Sequence, residues 1–166
     1  MKGFNNLLCF LLYGLATALL DEPLVTFDAV DGAIEFGNLP ILRDVNDPVG
    51  VQIATDSLAS DFEEVTGIKP RIIEWAPETG VVGLETAPEG FALIAATADS
   101  PLIFKLEADG KIRVESIRDK WETFRTALVQ DPLLGIKHSL VIVVGSDKRG
   151  TMFGIFTLSE QIGKSP

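Results

Sequence analysis

The stretch "SLVIVVGSDKRGTMFGIFTLSEQ" (Ser139 to Gln161) decides the fold. Its first half, Ser139 to Ser146, reads as the clearest buried strand in the chain, with an unbroken apolar run from Leu140 to Val144 rich in β-branched residues. Such a run suits a strand covered on both faces, as in a parallel sheet. Ser146 or Asp147 then offers a side-chain oxygen to cap a helix running from near Asp147 to about Gln161. Along that helix Met152, Ile155, Phe156 and Ile162 recur at helical spacing and form a core stripe. A buried strand leading directly into an amphipathic helix is the unit of an α/β layer.

The same alternation runs back along the chain. "GFALIAAT" (Gly90 to Thr97) is a second continuous apolar run and is expected as a buried central strand. Asp99 or Ser100 can cap a short helix through Leu106, and Asp109-Gly110 marks a turn. "RIIEW" (Arg71 to Trp75) and "WETFRTALV" (Trp121 to Val129) read as strands. "GVQIAT" (Gly50 to Thr55) alternates in period two and is expected as a strand. Asp56 or Ser57 would then cap a helix carrying Leu58, Phe62 and Val65, with Gly67 as its C-cap and Pro70 blocking continuation. "LVTF" (Leu24 to Phe27) and "AIEF" (Ala33 to Phe36) flank Asp31-Gly32, a dipeptide favoured in hairpin turns. Residues 76–89, with Pro77, Gly80, Gly83 and Pro88, read as a surface loop. The expected architecture is a small mixed β-sheet packed with helices, without a (β/α)8 barrel.

Composition bounds the partners. The 166 residues are 46% hydrophobic and 23% charged, with a formal net charge of −10. That balance is globular, and its acidity argues against nucleic acid and anionic membrane surfaces. Residues 1–18 carry a basic start at Lys2, an apolar run from Leu7 and a small-residue site at Ala16-Thr17-Ala18. They are expected to be a cleaved signal peptide, giving a secreted, extracellular chain with no membrane segment left. The mature domain would be residues 19–166. Cys9, the single cysteine, leaves with the leader, so disulfides and thiolate chemistry are not expected.

Few residues offer chemistry. Lys148 and Arg149 fall in the first turn of the closing helix, where cations are disfavoured by about 0.3–1 kcal/mol each. A salt-bridge partner, a solvated geometry or a bound anion would each answer this. The phosphate-loop spacing fails, because Gly150 is followed by Thr151 and both basic residues precede it. Asp61, Glu63 and Glu64 on one helix, and Asp99, Glu107 and Asp109 near turns, are expected on solvated faces. His138 has no second imidazole or cysteine near it in sequence, so neither a metal nor a cofactor is expected. Trp75 and Trp121 are expected as buried core anchors, the alternative being platforms for sugar rings.

Three segments carry a family likeness. "TDSLASDFEEVTGIKP" (Thr55 to Pro70), "KWETF" (Lys120 to Phe124) and "VVGSDKRGTMFGIFTLSEQIGKSP" (Val143 to Pro166) resemble the amino-terminal domain of glycoside hydrolase family 115. These are secreted xylan α-1,2-glucuronidases. A looser form of the last motif also occurs in the amino-terminal domains of hexosaminidase-like hydrolases. The resemblance implies a domain that precedes a catalytic barrel. A barrel takes about 250 residues, and 148 remain after the leader. No catalytic residue is implied, because none lies in the matching segments. Lys164 and the glycine-free turn "AATADSP" (Ala95 to Pro101) depart from the pattern.

What the resemblance does carry over is the tail motif Gly145, Asp147, Lys148, Arg149, Gly150 and Gly154. In one reading the motif fixes the turn and packs the helix against the missing barrel, Gly150 and Gly154 permitting close approach. The helix would then keep an apolar face for that neighbour. In the other, Lys148 and Arg149 help hold a glucuronate carboxylate. The function expected is a non-catalytic amino-terminal domain of an α-glucuronidase-like hydrolase. The alternative is a stand-alone carbohydrate-binding or interaction module without hydrolase activity, holding glucuronoxylan or another partner.

Overall fold

The structure, a computed structural model, describes residues 9–10, 25–26, 34–35, 39–78, 80–81, 90–129 and 138–163. The Asp31-Gly32 turn, Lys164 and the leader outside Cys9–Phe10 lie beyond these.

Three two-residue strands open the chain: β1 (Cys9–Phe10), β2 (Val25–Thr26) and β3 (Ile34–Glu35). Among the described residues the second and third do not pair with each other, as the expected hairpin would have them. β1 lies between them and pairs antiparallel with both.

The main sheet is built from β4 (Ile41–Asp44), β5 (Ile72–Ala76), β6 (Gly80–Val81), β7 (Gly90–Thr97), β8 (Phe124–Val129) and β9 (His138–Gly145). Its order is β6-β5-β4-β7-β9-β8. The central four strands run parallel, with β6 and β8 antiparallel at the two edges. Among the described residues four helices cover it: α1 (Val49–Thr66), α2 (Pro101–Ala108), α3 (Glu115–Arg118) and α4 (Lys148–Gln161). The chain is thus an α/β layer with a mixed sheet.

Period-two alternation sends successive side chains to opposite faces. Ile41, Leu93, Ala95, Val141 and Val143 point to the face that α1 and α4 cover, meeting Leu58, Phe62, Ile155, Leu158 and Ile162. Leu42, Ile94, Ala96, Ile142 and Val144 point to the other, meeting Leu102, Leu106, Val114 and Ile117 of the α2–α3 segment. Each fully buried Leu, Ile or Phe contributes about 1.5–3 kcal/mol of apolar transfer. Trp75 is in this core at 4% exposure.

One expected strand is a helix. Gly50–Thr55 belongs to α1, which starts at Val49. Its buried residues Val51, Ala54, Thr55, Leu58, Ala59 and Phe62 follow the 3.6-residue repeat, whereas Ile53 is 60% exposed. Pro48 fixes the entry at φ −52°. Asp56 and Ser57, expected as caps, are therefore interior. Gly67 does close the helix, in the left-handed conformation at φ 77°. The strand of this region is β4, only four residues long and directly ahead of the helix. α3 is likewise too short to show a period.

The tail glycines make close approaches within the domain itself. A Cβ on Gly145 would stand 2.0 Å from the Thr151 nitrogen, on Gly150 2.4 Å from the Thr123 carbonyl oxygen, and on Gly154 2.6 Å from Val143 Cγ1. The expectation that α4 keeps its apolar face for a barrel is corrected accordingly. Ile155, Leu158 and Ile162 are buried under the sheet, Met152 and Phe156 are half-buried against the same cluster, and Phe153 alone of the apolar α4 residues is exposed.

Candidate functional site

The functional groups gather where the parallel strands end at their carboxyl termini. α1 leaves β4 onto one face and α2 leaves β7 onto the other, so the gap between those two adjacent strands is the switch point of the sheet. Doubly wound sheets bind ligands in the crevice at that point.

Two buried carboxylates occupy it. Asp44, the last residue of β4, has no exposed surface. Its Oδ1 accepts from the Asn46 backbone N–H at 2.9 Å and the Asn46 amide group at 3.0 Å, and its Oδ2 accepts from the Leu102 N–H at 2.9 Å. Asp44 therefore ties β4 to the first turn of α2. Ser100 caps the same helix, accepting from the Ile103 N–H. Asp47, in the loop into α1, is 4% exposed. The Thr97 N–H and hydroxyl both donate to its Oδ1, at 3.0 and 2.8 Å. Its Oδ2 has no hydrogen-bond partner among the described residues. Burial, seconded by the charge of Asp44, pushes the Asp47 carboxyl up to about 6 against the lowering effect of the Thr97 bonds. The glycine-free turn Ala95 to Pro101 now has a physical reason, since Thr97 supplies a hydroxyl that glycine could not.

The second cluster is the tail motif. Asp147 caps α4, its Oδ1 accepting from the Gly150 N–H at 2.7 Å. Its Oδ2 accepts from the Glu122 N–H at 3.0 Å. The Gly150 and Glu122 bonds, then Arg149, hold its carboxyl below the usual range. Glu122 sits in the left-handed region at φ 52°, a conformation that a non-glycine residue adopts at a cost. Arg149 reaches Glu122 at 2.9 Å and lies 5.8 Å from the centre of the Phe153 ring. The unfavourable position of Arg149 is thus answered inside the chain, by Glu122 and Asp147. Lys148 is exposed, lying beside the first turn of α1 at Gly50. Trp121, next to Glu122, is 80% exposed. Its expected role as a core anchor is corrected: the bend that gives Glu122 its φ precedes β8 and leaves Trp121 outside the sheet.

The other candidates do not join these clusters. Glu63 pairs with Lys69, Asp109 with Lys105, and Asp99 and Glu107 with Arg118, while Asp61 accepts from the Ser159 hydroxyl between α1 and α4. His138 heads β9 opposite Gly90, at the amino end of the strands. No group of three or more metal-binding side chains occurs among the described residues. Asp44, Asp47 and Glu122 went unnoticed in the sequence. The signal available was Asp44-Val45-Asn46-Asp47-Pro48, two acids and a proline directly before a helix.

These features define a small doubly wound α/β domain whose switch point is filled by its own side chains. One similar solved structure is a family GH115 4-O-methyl-α-glucuronidase with specificity for decorated arabinogalactans. It matches with a TM-score of 0.53 and 23% identity over 78% of this chain. The chain spans only 14% of that protein's length. This likeness is one of fold. No family model matches the chain, and no curated protein matches it.

Proposed function

We propose that the chain is a non-catalytic α/β domain of a secreted glycoside hydrolase related to the α-glucuronidases, residues 1–18 being its leader and 19–166 the domain. In such an enzyme a separate catalytic barrel removes glucuronic acid side chains from a plant polysaccharide such as glucuronoxylan. The observation that carries this reading is the fold match, which takes in 78% of this chain but 14% of the glucuronidase. It gains support from the site. Asp44 is consumed by three donors and Asp47 faces Thr97, so among the described residues neither has the open opposing carboxylate that glycoside hydrolysis uses. Lys148 and Arg149 serve here as surface charge around the α4 cap. The purified chain is expected to release no glucuronic acid or 4-O-methylglucuronic acid from glucuronoxylan or a decorated arabinogalactan. Sustained turnover would overturn the proposal.

Trp121 favours a second reading, a carbohydrate-binding module without hydrolase activity. A ring 80% exposed, next in sequence to the Glu122 that pairs with Arg149, suits stacking on a sugar ring. Affinity electrophoresis through glucuronoxylan separates the two. Retardation that disappears in Trp121→Ala supports the module, and unretarded migration removes it.

A further inference from the structure

We propose that Asp47 is a proton-operated clasp: protonated, it holds the loop after β4 to the end of β7 across the switch point, and losing the proton loosens that join. The proposal stands on geometry and is independent of what the chain is attached to. Asp47 and Thr97 are fifty residues apart in sequence and bring together the two loops that part to opposite faces of the sheet. Asp47 is 4% exposed, and among the described residues only one of its two oxygens has partners. An ionised carboxylate in that place keeps one oxygen buried without a donor among the described residues, which costs several-fold more than burying the neutral acid.

Among the described residues, those around Asp47 do not supply a countercharge. Asp44, from β4, is the charged group that acts on it, and its sign is the same. Thr97 of β7 and Gln52 of α1, which donates to the Asp47 carbonyl oxygen at 2.9 Å, are both uncharged. The Arg43 guanidinium reaches Asp56 and Glu74 instead, and Arg118 reaches Asp99 and Glu107. Lys148 lies along α1 beside Gly50, and Arg149 is turned to Glu122. The anion therefore gains by admitting water to Oδ2, and separating the two loops would admit it. Under mildly acidic conditions the proton removes that demand and the crevice stays shut.

The upward displacement of the carboxyl, to about 6 from 3.8, agrees with this picture. It fixes the sign: the folded state holds the proton more tightly, so the stability Asp47 contributes is greatest below pH 4 and is lost as pH rises through about 6. The test has three readouts on the full chain. The Asp47 carboxyl carbon, followed by NMR, is expected to titrate near pH 6. The unfolding equilibrium constant from urea titrations is expected to rise about tenfold between pH 5 and 7.5, relative to Asp47→Asn. Protection of the Thr97 amide, corrected for the intrinsic exchange rate, is expected to fall over the same interval. A carboxyl midpoint below pH 4.5 overturns the proposal. So does a midpoint near 6 with Thr97 protection unchanged, because the proton would then not govern the join. The first and third readouts use the unsubstituted chain and hold even if Asp47→Asn fails to fold.

Discussion

Gly150 of α4 lies against the Thr123 carbonyl so closely that a Cβ would stand 2.4 Å from its oxygen. The Ser146 N–H donates to that same oxygen at 2.7 Å, so it cannot move without breaking the turn before α4. Gly150→Ala should therefore destabilise by about 1–3 kcal/mol, toward the upper end because the obstruction is backbone. Gly154→Ala meets side chains, Val143 and Phe124, that can shift, and should cost less. Urea denaturation of the two variants checks both the direction and the order.

Asp147 joins α4 to the Glu122 bend, so Asp147→Ala should lose about 1 kcal/mol from the cap. Asp147→Asn retains a capping oxygen and should lose less. The pH dependence has the opposite sign to that of Asp47. The folded Asp147 carboxyl is lowered, so its contribution is present above the ordinary value of 3.8 and disappears as pH falls through the lower, folded one. Acid-unfolding curves of wild type and Asp147→Asn should converge at the acid end and separate above about pH 4.

The two tryptophans should behave as two populations. Trp75 is shielded at 4% exposure and Trp121 is open at 80%. Acrylamide should quench one emission component readily, and Trp121→Phe should remove that component with a stability change within about 0.5 kcal/mol. Trp75→Phe should instead destabilise measurably, since Trp75 packs in the α2–α3 face of the core.

Legibility in the sequence followed the length of the periodic signal. β7 and β9 were plain as eight-residue strands buried from Ala92 and Leu140 onward, and α4 followed from Asp147 and its apolar spacing. β4 was not legible, because four residues cannot display a period and Pro40 precedes them. α1 was misjudged at its start, since Val51, Ile53 and Thr55 alternate in the sequence although only Val51 and Thr55 are buried. The tail motif was legible as a set of residues and misjudged in its partner. Glycine spacing announces a close approach, but sequence does not say that the approaching surface is Thr123, Phe124 and Val143. Asp47 was invisible because its meaning depends on Thr97, which only the crossover from β4 to β7 brings near.

Completeness of the α/β layer is tested most directly by native-state hydrogen exchange on the isolated chain. With α4 closed by its own sheet, the amides of Ile155 and Leu158 should exchange only through global unfolding, with the same free energy as those of Ile142 and Val143 in β9. Exchange in α4 at a much lower free energy than in β9 would contradict this, and would mean that the helix needs a neighbour to hold it down.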